Sequence, residues 1–206
     1  MNSLSPSQPL VLVMIGTPGS GKSFFARRFA ETFNAPLISF DEIRFELFND
    51  ITHSEDEDFV VARVAGMQLR ELLRTKKTIV IDGGHNPKVN RAELAKIVKR
   101  AGYDVLNVWV QADERTARSR SLRRKEDVDD DRFNRPLSDE EFYAHARTFT
   151  PPSKYESYVV ISGRHTYPAQ ARTVLKKLVT SHDTKSPEPP KRPESGGAPR
   201  RTLHIQ

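Results

Sequence analysis

The stretch Gly16-Thr17-Pro18-Gly19-Ser20-Gly21-Lys22-Ser23 decides how the rest of the chain is read. Its spacing is G-x-x-x-x-G-K-S, the pattern of a phosphate-binding P-loop. Gly16, Gly19 and Gly21 let the backbone turn tightly and approach a ligand with no Cβ in the way. Such a turn points successive backbone N–H groups into one concave anion site. A helix after it adds its own unpaired N–H groups and the positive end of its dipole. All eight residues, with Thr17, Pro18 and Ser20 among them, are expected to line a nucleotide phosphate site. Lys22 supplies a full positive charge to the β- and γ-phosphates, and Ser23 offers a hydroxyl ligand to Mg²⁺.

The flanks supply the context that the motif requires. Leu10-Val11-Leu12-Val13-Met14-Ile15 is an unbroken apolar run, as a strand buried on both faces needs. After the loop, Phe25, Phe29 and Phe33 recur every fourth residue beside Ala26 and Ala30, as on one face of a helix. Strand, glycine loop and helix thus follow in order.

The totals set the frame. The 206 residues suffice for one α/β domain with a substantial core. There are no cysteines, which excludes disulfides and thiolate metal sites. The N-terminal apolar run is too short for a membrane span or a secretion signal, so no membrane partner is expected. The net charge of +6 suits a polyanionic substrate, nucleic acid included, and equally a solvated surface with a basic tail. Residues 1–9 read as a loose leader, 10–180 as the domain, and 181–206, rich in proline and charge, as a disordered tail. ATP use would suit the cytoplasm.

Along the chain, strands and helices alternate. Residues 36–40 read as a second strand, with Asp41 at an N-cap position before an apolar-patterned helix. Residues 49–58 read as an acidic loop, and 59–74 as a helix. Thr78-Ile79-Val80-Ile81-Asp82 is a buried strand ending in a carboxylate, and a helix over 90–101 is stopped by Gly102. Residues 105–110 form a fourth strand, with Trp109 expected in the core. Asp113 caps a basic helix through Arg124, and 125–136 read as a mobile loop. Ser138-Asp139-Glu140-Glu141 has capping-box spacing. A fifth strand over 158–161 and a helix over 171–179 complete the pattern. The alternation argues a three-layer α/β/α domain with a five-stranded parallel sheet. Ligands bind such sheets at the carboxyl ends of the strands, where Asp82 and the P-loop both fall.

Three further features carry chemistry. Asp82 can hold Mg²⁺ directly or through its water, or cap a turn. Asp41 can take a proton from an attacking hydroxyl or orient it, and can also be an N-cap. Among the arginines of the basic helix, Arg120 and Arg124 are four apart and share a face. From a flap over the nucleotide they could neutralise charge as the γ-phosphoryl transfers.

The P-loop, Ser39-Phe40-Asp41-Glu42-Ile43-Arg44, Val80-Ile81-Asp82-Gly83-Gly84 and the stretch from Asp113-Glu114 to Arg124 together resemble the P-loop kinases of the AAA_33 type. That group is similar to the polynucleotide 5′-hydroxyl kinase domain and, more distantly, to zeta-toxin-like and gluconate-type kinases. The resemblance spans about residues 10–178 and implies strand order 2-3-1-4-5, ATP with Mg²⁺ and an arginine-bearing lid at about 113–137. It implies Asp41 as the acceptor-side acid and Arg120 and Arg124 as the lid arginines; the acceptor pocket is expected to be built by loops near Asp41, Arg44, His85 and residues 49–58, with Arg44 and His85 as substrate candidates. Relatives often carry Asn three residues after the acid of the third strand; here His85 stands there and Asn86 follows. His85 either contacts substrate or packs in its loop. Arg91 fits a recurrent arginine of the next helix or is a surface residue.

The expected activity is transfer of the γ-phosphoryl of ATP to a hydroxyl acceptor, whose identity the residues do not specify; the candidates include a nucleotide or nucleic-acid 5′-hydroxyl and a small metabolite. The alternative is an ATP-binding or ATP-hydrolysing regulatory module with no dedicated acceptor. A GTPase is disfavoured, since no N-K-x-D or D-x-x-G motif occurs, and a transporter ATPase lacks its S-G-G-Q signature.

Overall fold

The computed structural model describes residues 8–124, 133 and 135–183. The elements run β1 (Leu10–Ile15), α1 (Lys22–Phe33), β2 (Leu37–Ser39), α2 (Phe40–Leu47), α3 (Glu55–Leu73), β3 (Ile79–Asp82), α4 (Lys88–Arg100), β4 (Asp104–Gln111), α5 (Glu114–Leu122), α6 (Asp139–Thr148), β5 (Tyr158–Ser162) and α7 (Tyr167–Asp183). The strands form one five-stranded sheet in the order β2-β3-β1-β4-β5. Every pairing is parallel, with Met14 opposite Asp82 and Ile15 opposite Trp109.

β1 is central and fully buried, and its side chains alternate between two layers because a strand repeats every second residue. Leu10, Leu12 and Met14 pack with Phe25 and Phe29 of α1 and Ala171 and Val174 of α7. Val11, Val13 and Ile15 pack with Ile43 of α2, Val61, Ala65 and Leu69 of α3, and Leu94 and Val98 of α4. Each fully buried aliphatic or phenyl side chain contributes roughly 1.5–3 kcal/mol. The parallel register brings the carboxyl ends of β1, β2 and β3 level: Ser39 pairs with Asp82, and Asp82 with Met14.

Three local expectations change, and a fourth is refined. The N-cap of α2 is Ser39, whose hydroxyl accepts from Glu42 N at 3.2 Å, so Asp41 lies inside the first turn and not at the cap. The acidic stretch 49–58 is not all loop. Ser54 caps α3 by accepting from Glu57 N, and Glu55, Asp56, Glu57 and Asp58 form its first turn, where negative charge meets the positive end of the helix dipole. Trp109 packs against the core as expected but is only half-buried, its ring tilted against Phe149 with centroids 5.5 Å apart. The last helix begins at Tyr167 and runs to Asp183, past the expected boundary at residue 180. Most of the expected leader, residues 125–132 and 134 of the expected lid loop, and the tail from 184 on lie outside the described residues.

Candidate active site

The P-loop joins β1 to α1. Gly21, at φ 101°, precedes α1, and no side chain caps that helix. Its N-terminal N–H groups are thereby left for a ligand. Gly19, at φ 69°, has two reasons to be glycine. Its conformation is left-handed, and a Cβ there would stand 2.0 Å from the Ala117 carbonyl oxygen and 2.6 Å from Ser121 Oγ. Ala117 and Ser121 of α5 are fully buried against this turn. The helix that carries Arg120 is therefore seated on the phosphate loop itself; it ends at Leu122, short of the expected Arg124, so Arg120 and Arg124 do not share a helix face. Arg120 Nη1 donates to the Gly163 carbonyl at 3.0 Å, and the Arg124 charge reaches Lys22. Gly19, Lys22, Ser23, Phe24, Arg120, Arg124, Gly163, Thr166 and Gln170 line a cavity of about 680 Å³.

Lys22 is half-buried, and Nζ donates to the Thr17 carbonyl at 2.8 Å. Burial lowers its pKa from 10.5 to about 8; Arg124 lowers it further, while Asp82 and Asp41 hold it up. Asp82, 5% exposed, is pushed upward mainly by burial and then by the Asp41 charge. A hydrogen bond from Ser23 and the charges of Lys22 and Arg27 oppose that rise. Both carboxylates thus act on the Lys22 charge, Asp82 from the end of β3 and Asp41 from the first turn of α2. Ser23 and Asp82 form a hydroxyl–carboxylate pair of hard oxygens, the donor set that Mg²⁺ takes alongside water and phosphate. Among the described residues there is no cluster of three or more His, Cys, Asp or Glu side chains suited to a metal. Mg²⁺ bound mainly by phosphates needs no such cluster.

The wall of the cleft expected to face an acceptor is built differently. Phe40 lies over the Gly83-Gly84 turn, where a Cβ on Gly84 would fall 2.4 Å from its ring. That contact locks the end of β2 to the end of β3 and sets the first turn of α2, which carries Asp41. His85 packs edge-on to Phe40, with centroids 5.7 Å apart. Its Nδ1 lies 2.7 Å from the Gly83 carbonyl, which can only accept, so Nδ1 carries the proton and Nε2 is an acceptor. Burial lowers its pKa, which keeps the ring neutral.

Arg44 is placed otherwise than a substrate contact would need. It is 7% exposed, donates to Glu57 Oε2 at 2.9 Å and pairs with Asp58. Glu57 also accepts from Thr52 Oγ1 at 2.6 Å and from the backbone N–H of Thr52 and His53, both at 2.8 Å. The Thr52 hydroxyl above all holds its carboxyl down at about 2. Arg91, half of whose reading was a surface residue, is 2% exposed and paired with Glu156 at 2.6 Å. Sequence reasoning passed over Glu57, Glu156 and the part Asn86 plays. Ser54-x-x-Glu57 has the capping-box spacing and would have flagged the first; nothing local announces Glu156.

A glycine loop between β1 and α1 under a sheet of order β2-β3-β1-β4-β5 defines a P-loop protein with the kinase-like arrangement of strands. Residues 11–152 match the AAA_33 family model, described as an AAA domain, and the chain belongs to that family. No curated protein matches the chain significantly. Among solved structures, it is similar to a gluconokinase from Sinorhizobium meliloti 1021 at 16% identity and TM-score 0.61, covering 87% of this chain and 96% of that one. It is similar to Chaetomium thermophilum Kti12 in complex with ADP-AlF3 at 20% identity and TM-score 0.59, covering 84% and 98%. It is also similar to the Mycobacterium tuberculosis APS kinase CysC in complex with AMPPNP and APS, at 16% identity and TM-score 0.56, covering 85% and 99%. At these identities the likeness is one of fold. Among the described residues, no helix is long and apolar enough to cross a membrane.

Proposed function

We propose that this protein is an ATP-dependent phosphotransferase that moves the γ-phosphoryl of ATP to a hydroxyl acceptor. One observation carries the reading. Asp41 and Asp82 both act on Lys22, yet only Asp82 is tied to Ser23, and Asp41 is not used as a helix cap. Two carboxylates at one ammonium suit two tasks. Ser23 and Asp82 would hold Mg²⁺, which neutralises charge on the β- and γ-phosphates when bound. Gly16 to Ser23 would cradle those phosphates, with Lys22 countering charge as it builds up on the transferring group. Asp41 would accept or orient the acceptor's hydroxyl proton. Arg120 would reach the nucleotide by exchanging its bond to the Gly163 carbonyl for phosphate, with Arg124 already close enough to act on Lys22. His85 Nε2 is an acceptor suited to a second hydroxyl of the substrate. Arg44 would serve the acceptor indirectly, through the 49–54 loop that Glu57 holds. ATP use carries a cytoplasmic location with it.

A second reading, an ATP-binding regulatory module with no dedicated acceptor, draws on the engagement of Arg44 in a buried ion pair. A labelled γ-phosphate transfer screen over nucleosides, oligonucleotide 5′-ends, sugars and aminoglycosides separates the two. The phosphotransferase reading expects label on at least one hydroxyl class, lost in Asp41→Asn. Release of label only as inorganic phosphate across every class would favour the regulatory reading.

A further inference from the structure

The P-loop is held from outside by a side chain that the proposed transfer does not use. Asn86, between β3 and α4, meets Gly16 with both ends of its amide. Its Oδ1 accepts from Gly16 N at 3.0 Å, and its Nδ2 donates to the Gly16 carbonyl at 3.0 Å. Two bonds to one residue fix its peptide planes as well as its position. Asn86 is itself held, since its carbonyl accepts from Arg91 Nη1 at 2.6 Å and from Thr150 N at 3.1 Å. Arg91 Nε donates to Glu156 Oε1 at 2.6 Å, and Glu156 Oε2 accepts from Ser153 N at 2.8 Å. At the other end, the next carbonyl of the loop, that of Thr17, accepts from Lys22 Nζ at 2.8 Å. An unbroken set of contacts therefore runs from the segment after α6, through Glu156, Arg91 and Asn86, to Gly16, Thr17 and Lys22.

We infer that Asn86 is a positioning residue for the phosphate cradle: through Gly16 it sets the Gly16–Thr17 peptide, next to the Thr17 carbonyl on which Lys22 rests, and the Arg91–Glu156 pair keeps Asn86 in place. The inference rests on the phosphotransferase reading. The physical case is one of orientation. A buried ion pair adds little net stability over an apolar replacement, so its presence here is better explained by the direction it imposes on the groups around it. The planar guanidinium suits that task, bonding Glu156 and the 85–86 backbone in one rigid frame. Phosphoryl transfer depends almost wholly on charges standing in the right place, so a small rotation of the Gly16–Thr17 peptide acts on the transition state before it acts on ground-state binding.

The test titrates the full chain with Mg·ADP, and with Mg·ADP plus aluminium fluoride as a mimic of the transferring phosphoryl. In Asn86→Ala, Mg·ADP affinity stays within about threefold of wild type while affinity for the fluoride complex falls about 10–100-fold, as a transition-state interaction requires. Arg91→Ala shifts the same ratio in the same direction, and Arg91→Lys restores part of it. Val98→Ala, a core truncation on α4, lowers Tm but leaves both affinities as in wild type, which sets plain destabilisation apart. Equal losses on the two probes, or none, overturn the inference. Should Asn86→Ala not fold, Arg91→Lys decides with the same two probes. A wild-type chain that binds neither probe brings down the phosphotransferase reading and this inference with it, whereas a wild type that binds both and an Asn86→Ala that matches it bring down the inference alone.

Discussion

The two sides of the candidate site are made of different material. The nucleotide side is backbone. Its shape comes from left-handed glycines and a carbonyl-bonded lysine, with α5 pressed so close to Gly19 that no Cβ fits. The side proposed for the acceptor is side chain. Arg44, Glu57, Asp58 and Thr52 bond through one another across a helix pair and a loop, and Asp41 lies on the same helix as Arg44. Backbone sites tolerate almost no change at their own positions, whereas side-chain walls can be rebuilt residue by residue, which is how one fold serves many acceptors. The family's members are therefore expected to share the first side and differ in the second.

The comparison can be broken first at Lys22. Lys22→Ala removes the only charge built into the cradle itself, and ATP-dependent turnover should fall by roughly 10³–10⁵, the scale on which single cations act in phosphoryl transfer. Phosphate release near the wild-type rate would refute it. A smaller loss is expected at Gly19→Ala. The new methyl collides with the Ala117 carbonyl at 2.0 Å in a left-handed backbone, a strain of order 1–3 kcal/mol. Mg·ATP affinity measured by calorimetry should drop about 5–100-fold. Gly66 is a counterpart on the helix that carries Glu57 and Asp58. It sits inside α3 with nothing within 4 Å of a built Cβ. Gly66→Ala should stabilise by about 0.4–1 kcal/mol and raise Tm with no change in nucleotide affinity. A Gly19→Ala protein that binds as well as Gly66→Ala does would erase the distinction between the two sides.

The acceptor side has a pH signature of its own. The Glu57 carboxyl is held down to about 2, against an ordinary 4.5. A depressed acid contributes stability that is complete above its unfolded value and is lost as pH falls through the folded one. The Tm gap between wild type and Glu57→Gln should therefore be widest at neutral pH, narrow below 4.5 and close near 2. A gap that does not change with pH would mean that the Glu57 charge does not hold this wall.

The same division explains what could be read before the fold was known. The P-loop, β1 and the Ser138 capping box announce themselves within eight residues or fewer, because the backbone geometry they need is written locally. The strand order came from a resemblance, and the sheet has it. What escaped local reading depends on partners far along the chain. Arg44 looks the same in sequence whether it meets a substrate or Glu57 thirteen residues on, and Arg91 finds Glu156 at a separation of 65. Trp109 reads as core because its strand is apolar, yet its face of the sheet meets Phe149 from a loop. Asp41 reads as a cap, a place that Ser39 fills, since both residues suit an N-cap and only the helix start decides between them.

The central claim is that Asp41 and Asp82, though both act on Lys22, serve opposite sides of the transfer. The most direct measurement sets Asp41→Asn beside Asp82→Asn, with Mg·ATP affinity taken by calorimetry and γ-phosphoryl transfer to the acceptor found in the screen. The account predicts that Asp41→Asn keeps Mg·ATP affinity within about threefold of wild type while transfer falls by roughly 10²–10⁴, the scale of a lost general base. Asp82→Asn should weaken Mg²⁺-dependent nucleotide binding as well as transfer. Equal loss of Mg·ATP affinity in the two variants would contradict the account, placing Asp41 on the nucleotide side with Asp82.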